Sequence, residues 1–226
     1  MHDKQIVVLG AKGLLGSHLV PILEERNCWV STPTKEEWDI SKVKHIPHYL
    51  YGWRPDIIVN CAAYTDVSKA EQDKWEAIQT NIIGCENLVK IARQLKSKVI
   101  QISSDYANVR PMGFYAFTKY AGEVFFQNDE DLVIRTSFKK RGTWDSKSGY
   151  SKVIHPIHTC SDWVDIIAPK IVDAILEDKK GTHFIGTEKK TLRDLAVQEN
   201  PNIENMSPED ADRINGYVYP RDCTKF

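Results

Sequence analysis

The sequence predicts an α/β fold: a doubly wound parallel sheet with helices on both faces and a small C-terminal lobe on the substrate side. Three observations carry this reading. Short apolar runs recur at Gln5–Leu9, Ile57–Asn60, Val99–Ile102 and Leu132–Ile134, and continuous apolarity marks strands buried on both faces. Segments of helical periodicity lie between these runs, the alternation that builds parallel sheets. The first run also meets Gly10-Ala11-Lys12-Gly13-Leu14-Leu15-Gly16 directly before a helix, a strand–glycine turn–helix unit.

The 226 residues are 42% hydrophobic and 27% charged, enough for one domain with a substantial core. The expected division is a single domain over 1–226, with a core over about 1–185 and a lobe formed by the 137–160 loop and 186–226. A net charge of −1 gives no electrostatic pull toward nucleic acid or membrane. No apolar run reaches the length of a membrane span, and Met1-His2-Asp3-Lys4 lacks the pattern of a signal peptide. Five scattered cysteines without a Cys-x-x-Cys pair read as reduced thiols, so a cytoplasmic location is expected.

In chain order, Gln5–Leu9 is the first strand, and a helix follows the glycine turn through Ser17–Leu23. Cys28–Ser31 is the second strand. A helix is expected over 43–51, then the strand Ile57–Asn60. Ala70–Leu95 reads as mostly helical, with Asn81 and Gly84 interrupting the pattern. Val99 to Tyr106 reads as a buried strand, and Tyr115 to about Phe126 as a helix. Asp131–Thr136 is a strand, and Ser137–Ser151 an irregular loop over the site, anchored by Trp144. A helix over Asp162–Glu177, a strand over Thr182–Gly186 and a short helix from Thr191 follow. The tail from Ser207 holds one helix.

The chemistry concentrates at two places. In the glycine turn, Gly10, Gly13 and Gly16, with Leu14 and Leu15, let backbone N–H groups approach a pyrophosphate at a helix N-terminus. Cofactor contacts are expected there. The end of the second strand reads Ser31-Thr32-Pro33-Thr34-Lys35, with no acid until Glu36. An NAD site usually offers a carboxylate at this place. Lys12 in the turn and Lys35 after the strand suit a 2′-phosphate, so NADPH is favoured over NADH. Asp39 and Ile40 are placed to flank the adenine. Cys61, Ala62, Ala63 and Tyr64 leave room for a ligand at the strand edge, with Thr65 beside it, and Asn81 can anchor a kink near the site.

The second place runs from Val99 to Lys119. A strand ending in Ser103 and Ser104 precedes a helix with Tyr115 and Lys119 four apart, hence on one face. A hydroxyl, a phenol and an ammonium around one point suit carbonyl reduction. Ser104 donates to the carbonyl, Tyr115 gives the proton, and Lys119 is expected to hold the phenol below its usual pKa of about 10. Asp105, Tyr106, Arg135 and Trp144 join Thr65 as candidate substrate contacts. His155 and His158 lack companion acids, so no metal site is expected.

These pieces together resemble the extended short-chain dehydrogenase/reductase family, most closely its dTDP-4-dehydrorhamnose reductase group. The matching stretches are Gly10–Gly16, Trp38-Asp39-Ile40, Arg54–Thr65, Val67–Glu71, Thr80–Gly84, Ile102–Tyr106, Tyr115–Glu123 and Ile134–Ser137. Cys160–Trp163, Gly181–Gly186 and Tyr219–Asp222 resemble its C-terminal landmarks. The resemblance implies a Rossmann-type sheet binding NAD(P)H. It implies Tyr115 as proton donor, Lys119 on the nicotinamide ribose and Ser104, often Thr in the family, on the keto group. The implied reaction is reduction of the 4-keto group of a nucleotide-activated 6-deoxysugar. Helices within Ala70–Leu95 and Tyr115–Phe126 resemble those that pair across a two-fold axis, implying a homodimer. The chain departs from the family in its short link between Ser104 and Tyr115 and its shortened part after residue 140. A nucleotide-sugar epimerase or dehydratase with retained cofactor, or a non-catalytic NADP-binding regulatory subunit, are the competing readings.

Overall fold

The computed structural model describes residues 4–42, 47–109, 112–127 and 129–224. Six strands form the main sheet: β1 (Gln5–Leu9), β2 (Trp29–Ser31), β3 (Ile57–Asn60), β4 (Lys98–Ser104), β5 (Leu132–Thr136) and β6 (Gly181–Ile185). Their order is β6-β5-β4-β3-β1-β2, and every pairing is parallel. The chain leaves β1 toward β2 on one side and returns through β3 on the other. A crevice therefore opens at the C-terminal edge between β1 and β3, the switch point of a doubly wound sheet.

Strand alternation sends successive side chains to opposite faces. Ile6, Val8, Ile57, Val59, Ile100, Ile102, Leu132 and Ile134 pack against α1 (Gly16–Glu25) and α7 (Val164–Leu176). Val7, Leu9, Ile58, Val99 and Val133 pack on the other face. They meet Leu50 of α2 (Tyr49–Trp53) and Leu88, Ile91, Ala92 and Leu95 of α5 (Gly84–Leu95). Helices cover both faces, which explains the unbroken apolar runs.

Several boundaries differ from the sequence expectation. Of the helix expected over 43–51, residues 43–46 lie outside the described residues, and α2 begins only at Tyr49. The stretch from Ala70 to Leu95 divides into α3 (Val67–Gln72), α4 (Lys74–Ile78), a π turn over Gln79–Ile83 and then α5. Asn81, the expected kink, sits inside that π turn. β4 stops at Ser104, where a 3₁₀ turn over Asp105–Asn108 takes over. The Ser104 hydroxyl accepts from the Tyr106 amide at 3.2 Å and so ends the strand. Helix α6 (Phe114–Glu123) ends three residues before Phe126. Among the described residues no helix is long and apolar enough to cross a membrane.

A second, smaller core holds the C-terminal lobe. Trp144, Val153, Ile157, Trp163 and Ile203 pack against Leu192, Leu195 and Ala196 of α8 (Leu192–Glu199). Three short pairings that the sequence did not announce frame it: Lys152–Ile154 with Glu204–Met206, His158–Thr159 with Lys190–Thr191, and Phe138–Lys139 with Asp162–Trp163. Helix α9 (Pro208–Asn215) supplies the one helix expected in the tail.

Candidate active site

A cavity of about 830 Å³ runs along the C-terminal edge of β1, β3, β4 and β5. Its first wall is the glycine turn. Gly10 has φ +73°, and a Cβ there would lie 2.8 Å from the Ala62 amide nitrogen, so only glycine lets the turn lie on the chain leaving β3. A Cβ on Gly16 would lie 2.4 Å from the Gly10 carbonyl oxygen. Helix α1 starts here without a side-chain cap or an acid in its first turn, so the positive end of its dipole carries no carboxylate of its own.

The second wall comes from β4 and α6. Burial of the β4 run brings Ser103, Ser104 and Asp105 to the cavity edge, all below a tenth exposed. Tyr115 and Lys119 reach the same cavity from α6. The Ser104 hydroxyl stands beside the Tyr115 phenol. Burial pushes that phenol up to about 12, the nearby Asp105 carboxyl pushes the same way, and Ser104 opposes both. This corrects the expectation that Lys119 holds the phenol below its usual value. The Lys119 ammonium instead donates to the Ile102 carbonyl at 2.8 Å. Burial lowers the pKa of that ammonium, against the pull of Cys85, Glu123 and Cys61.

Asn81 joins the two walls. Its Nδ2 donates to the Tyr64 carbonyl at 3.0 Å and to Thr118 Oγ1 at 3.0 Å, and its Oδ1 accepts from the Tyr64 amide at 2.9 Å. Thr118 Oγ1 donates in turn to the Tyr115 carbonyl at 2.8 Å. Asn81 is absent from the cavity lining. It fixes the loop after β3 to the helix carrying Tyr115, so its expected cofactor contact becomes a positioning contact.

A sequence model described as "RmlD substrate binding domain" matches residues 4–143. The chain belongs to this family. A dTDP-4-dehydrorhamnose reductase of Mycobacterium tuberculosis is 29% identical over 160 residues, covering 62% of this chain and 52% of the relative. The chain spans about half the length of the curated relatives it matches. The Bacillus anthracis dTDP-4-dehydrorhamnose reductase, solved in complex with NADP, superposes with a TM-score of 0.84 at 22% identity, covering 98% of this chain and 89% of that one. The Thermus thermophilus UDP-glucose 4-epimerase complex with NAD superposes at 0.78 and 17% identity, covering 96% and 89%.

Within this RmlD-family cavity lie Gly10, Lys12, Gly13, Leu14, Leu15, Gly16, Asp39, Ile40, Cys61, Ala62, Ala63, Tyr64, Thr65, Ser103, Ser104, Asp105, Tyr106, Tyr115 and Lys119, as the sequence reading expects. Arg135 and Trp144 do not line it. Alternation along β5 turns Arg135 to the side of Val133. There its guanidinium pairs with Glu123 at 2.6 Å and lies over the Tyr120 ring. Trp144 is 4% exposed and packs edge-on against Trp163 at 6.0 Å, so it anchors the lobe core rather than a substrate. His155 and His158 also lie outside the cavity.

Sequence reasoning passed over Glu36, Ser137 and Lys139, which all line it. Glu36 stands near both Lys12 and Lys35. Its own backbone and the Thr34 hydroxyl hold its carboxyl below the usual range, with the two lysines adding to this. Asp39 lines the same cavity and also lies in the field of Lys35, so two cations share that end with two carboxylates. Alternation with the buried Thr136 was the one available signal for Ser137; Lys139 carried none.

Proposed function

We propose that the chain is an NADPH-dependent reductase of the 4-keto group of a nucleotide-diphospho-6-deoxyhexose, serving polysaccharide precursor synthesis. The carrying observation is the Ser104–Tyr115–Lys119 group sharing one cavity with the glycine turn. Membership of the RmlD family supports the sugar-nucleotide substrate. The five cysteines are free thiols, which supports a cytoplasmic location.

The cavity suits a dinucleotide on its own terms. Gly10 and Gly16 let the turn pack closely on the chain leaving β3 and on itself, where any Cβ would meet backbone, and the uncapped α1 N-terminus suits a pyrophosphate. Lys12 and Lys35 line the same cavity, where they would meet a 2′-phosphate. Lys119 would hold the nicotinamide ribose. When bound, the cofactor supplies a hydride.

The chain's own residues handle the charge that follows. Attack on a keto carbon builds negative charge on its oxygen, which must be met as it forms. Ser104 donates a hydrogen bond to that oxygen. Tyr115, whose raised pKa keeps its proton in place at neutral pH, releases it only as the oxygen becomes basic. Asn81 and Thr118 keep α6 in register with the loop after β3 while this happens.

Trp75 of α4 and Phe117 and Tyr120 of α6 are exposed, with Val124 just beyond. This apolar surface supports a two-fold homodimer, which light scattering at micromolar concentration tests against the 25.9 kDa monomer. The activity is tested with 4-keto-6-deoxysugar nucleotides prepared by a 4,6-dehydratase, following absorbance of the reduced nicotinamide. NADPH consumption by one of them is expected. No consumption with any dTDP-, UDP- or GDP-linked keto sugar refutes the assignment.

A further inference from the structure

Asp105 is the one buried acid among the described residues that lines the cavity beside the proton-donating pair, and its surroundings suit a neutral acid. It is 1% exposed. Its Oδ1 lies 3.3 Å from Ser104 Oγ, and its Oδ2 is buried without a hydrogen-bond partner in the structure. A carboxylate here leaves charge on an unsolvated oxygen, whereas a neutral acid leaves only a carbonyl lone pair unmet. We propose that Asp105 is a positioning residue for the Ser104–Tyr115 pair: as a neutral acid it donates to Ser104 Oγ and directs the Ser104 proton outward, and as a carboxylate it takes that proton back. The proposal rests on the reductase reading given above.

A serine hydroxyl has one proton and two lone pairs. The Tyr106 amide fills one lone pair of Ser104 at 3.2 Å. If Asp105 Oδ1–H fills the other, the Ser104 proton has nowhere to go but the Tyr115 phenol oxygen or, once bound, the keto oxygen. Ionised Asp105 reverses this. It draws the Ser104 proton inward and sets a negative charge beside a phenol that must become a phenolate. Asp105 keeps its own proton throughout, and the proton that reaches the product leaves Tyr115.

The groups facing Asp105 divide as follows. Lys139 favours the carboxylate, with help from the Ser104 hydroxyl, the Tyr106 amide and the Ser137 hydroxyl. Burial outweighs them and pushes the acid up to about 7. The Tyr106 and Tyr115 phenols and the Cys160 and Cys223 thiols also lie within its field. All four stay neutral at that pH, because burial raises each of them. The switch therefore turns on Asp105 and Lys139.

Two measurements test the proposal. Infrared difference spectra of the protein alone should show a protonated carboxyl band that titrates near pH 7 and is missing in Asp105→Asn. Single-turnover reduction by the wild type should fall about tenfold per pH unit above about pH 7, the behaviour of one essential proton. Asp105→Asn should be several-fold slower at about pH 6 yet flat with pH, because an amide donates to Ser104 Oγ at every pH. Lys139→Met, which removes the opposing cation, should move the limb and the band to higher pH and covers the case in which Asp105→Asn fails to fold. A band that titrates below about pH 5, as for an ordinary carboxyl, overturns the proposal. So does an unchanged limb in Asp105→Asn, or a downward move in Lys139→Met. Lack of turnover with every keto-sugar nucleotide, alongside a band near pH 7, counts against the reductase reading and upholds the neutral acid.

Discussion

Gly122 offers a direct test of how the fold holds the site. It lies on α6, one turn beyond Lys119, and packs on the π turn that contains Asn81. A Cβ at this position would stand 2.2 Å from the Asn81 carbonyl oxygen and 3.2 Å from Cys85 Sγ. Ordinary contact begins at 3.4 Å, so Gly122→Ala must push α6 away by about 1 Å, a displacement of the kind that overpacking forces in well-packed interiors. Overpacking of this kind costs about 1–3 kcal/mol, or roughly 3–10 °C in Tm for a chain of this size. The same shift moves Tyr115 and Lys119 relative to the glycine turn, and a misplacement of about 1 Å costs about 10²-fold in rate. Gly52→Ala is the control, because a Cβ there meets nothing within 4 Å. It should be neutral or stabilising by up to about 1 kcal/mol. Thermal melts and single-turnover NADPH oxidation read both variants. Wild-type Tm and rate in Gly122→Ala would refute the idea that the π turn seats α6.

Lys12→Ala should weaken NADPH binding by about 1–2 kcal/mol, the loss of a charge-assisted contact, and leave NADH binding unchanged; fluorescence titration of both cofactors reads this. Asp105 also predicts a pH dependence of stability. Its carboxyl is raised from 3.8 to about 7 in the folded chain, so the folded state binds more protons between those values. Its contribution to stability is therefore full below about pH 4 and falls through about pH 7, by about 4 kcal/mol at 1.36 kcal/mol per pH unit. Denaturant melts of Asp105→Asn should lack that decline, and parallel curves for the two proteins would contradict it. Trp144→Ala should cost about 3–5 kcal/mol of stability, as for a buried tryptophan in a core, with NADPH affinity of the folded protein unchanged; a selective loss of cofactor affinity would return Trp144 to the cavity.

The parts of the site that were legible in the sequence are local ones. The glycine turn is a contiguous stretch whose spacing states its geometry, and the Tyr115–Lys119 pair follows from the helical period alone. The interruption at Asn81 was visible because a polar residue and a glycine break an apolar pattern. The reason for it, a π turn that frees Asn81 to hold Tyr64 and Thr118, depends on a partner 37 residues away. Arg135 was misplaced because strand alternation fixes a face but not which helix covers it; here Glu123 of α6 lies opposite. Trp144 was misplaced because a lone aromatic in an irregular stretch anchors equally well to a ligand or to a lobe core. The lobe's short pairings are two or three residues long, too short to carry a period. Lys139 and Glu36 reach the cavity through tertiary folding that no spacing encodes.

The central claim is that Tyr115 delivers the proton in a hydride reduction at this cavity. The most direct measurement is single-turnover reduction of a 4-keto-6-deoxysugar nucleotide with deuterated NADPH, wild type against Tyr115→Phe, with mass analysis of the product sugar and parallel cofactor titration. The account predicts deuterium at the former keto carbon in the wild type. It predicts a 10²–10⁴-fold slower transfer in Tyr115→Phe, about the worth of a positioned general acid, with cofactor binding retained. Wild-type transfer rates in Tyr115→Phe would contradict it.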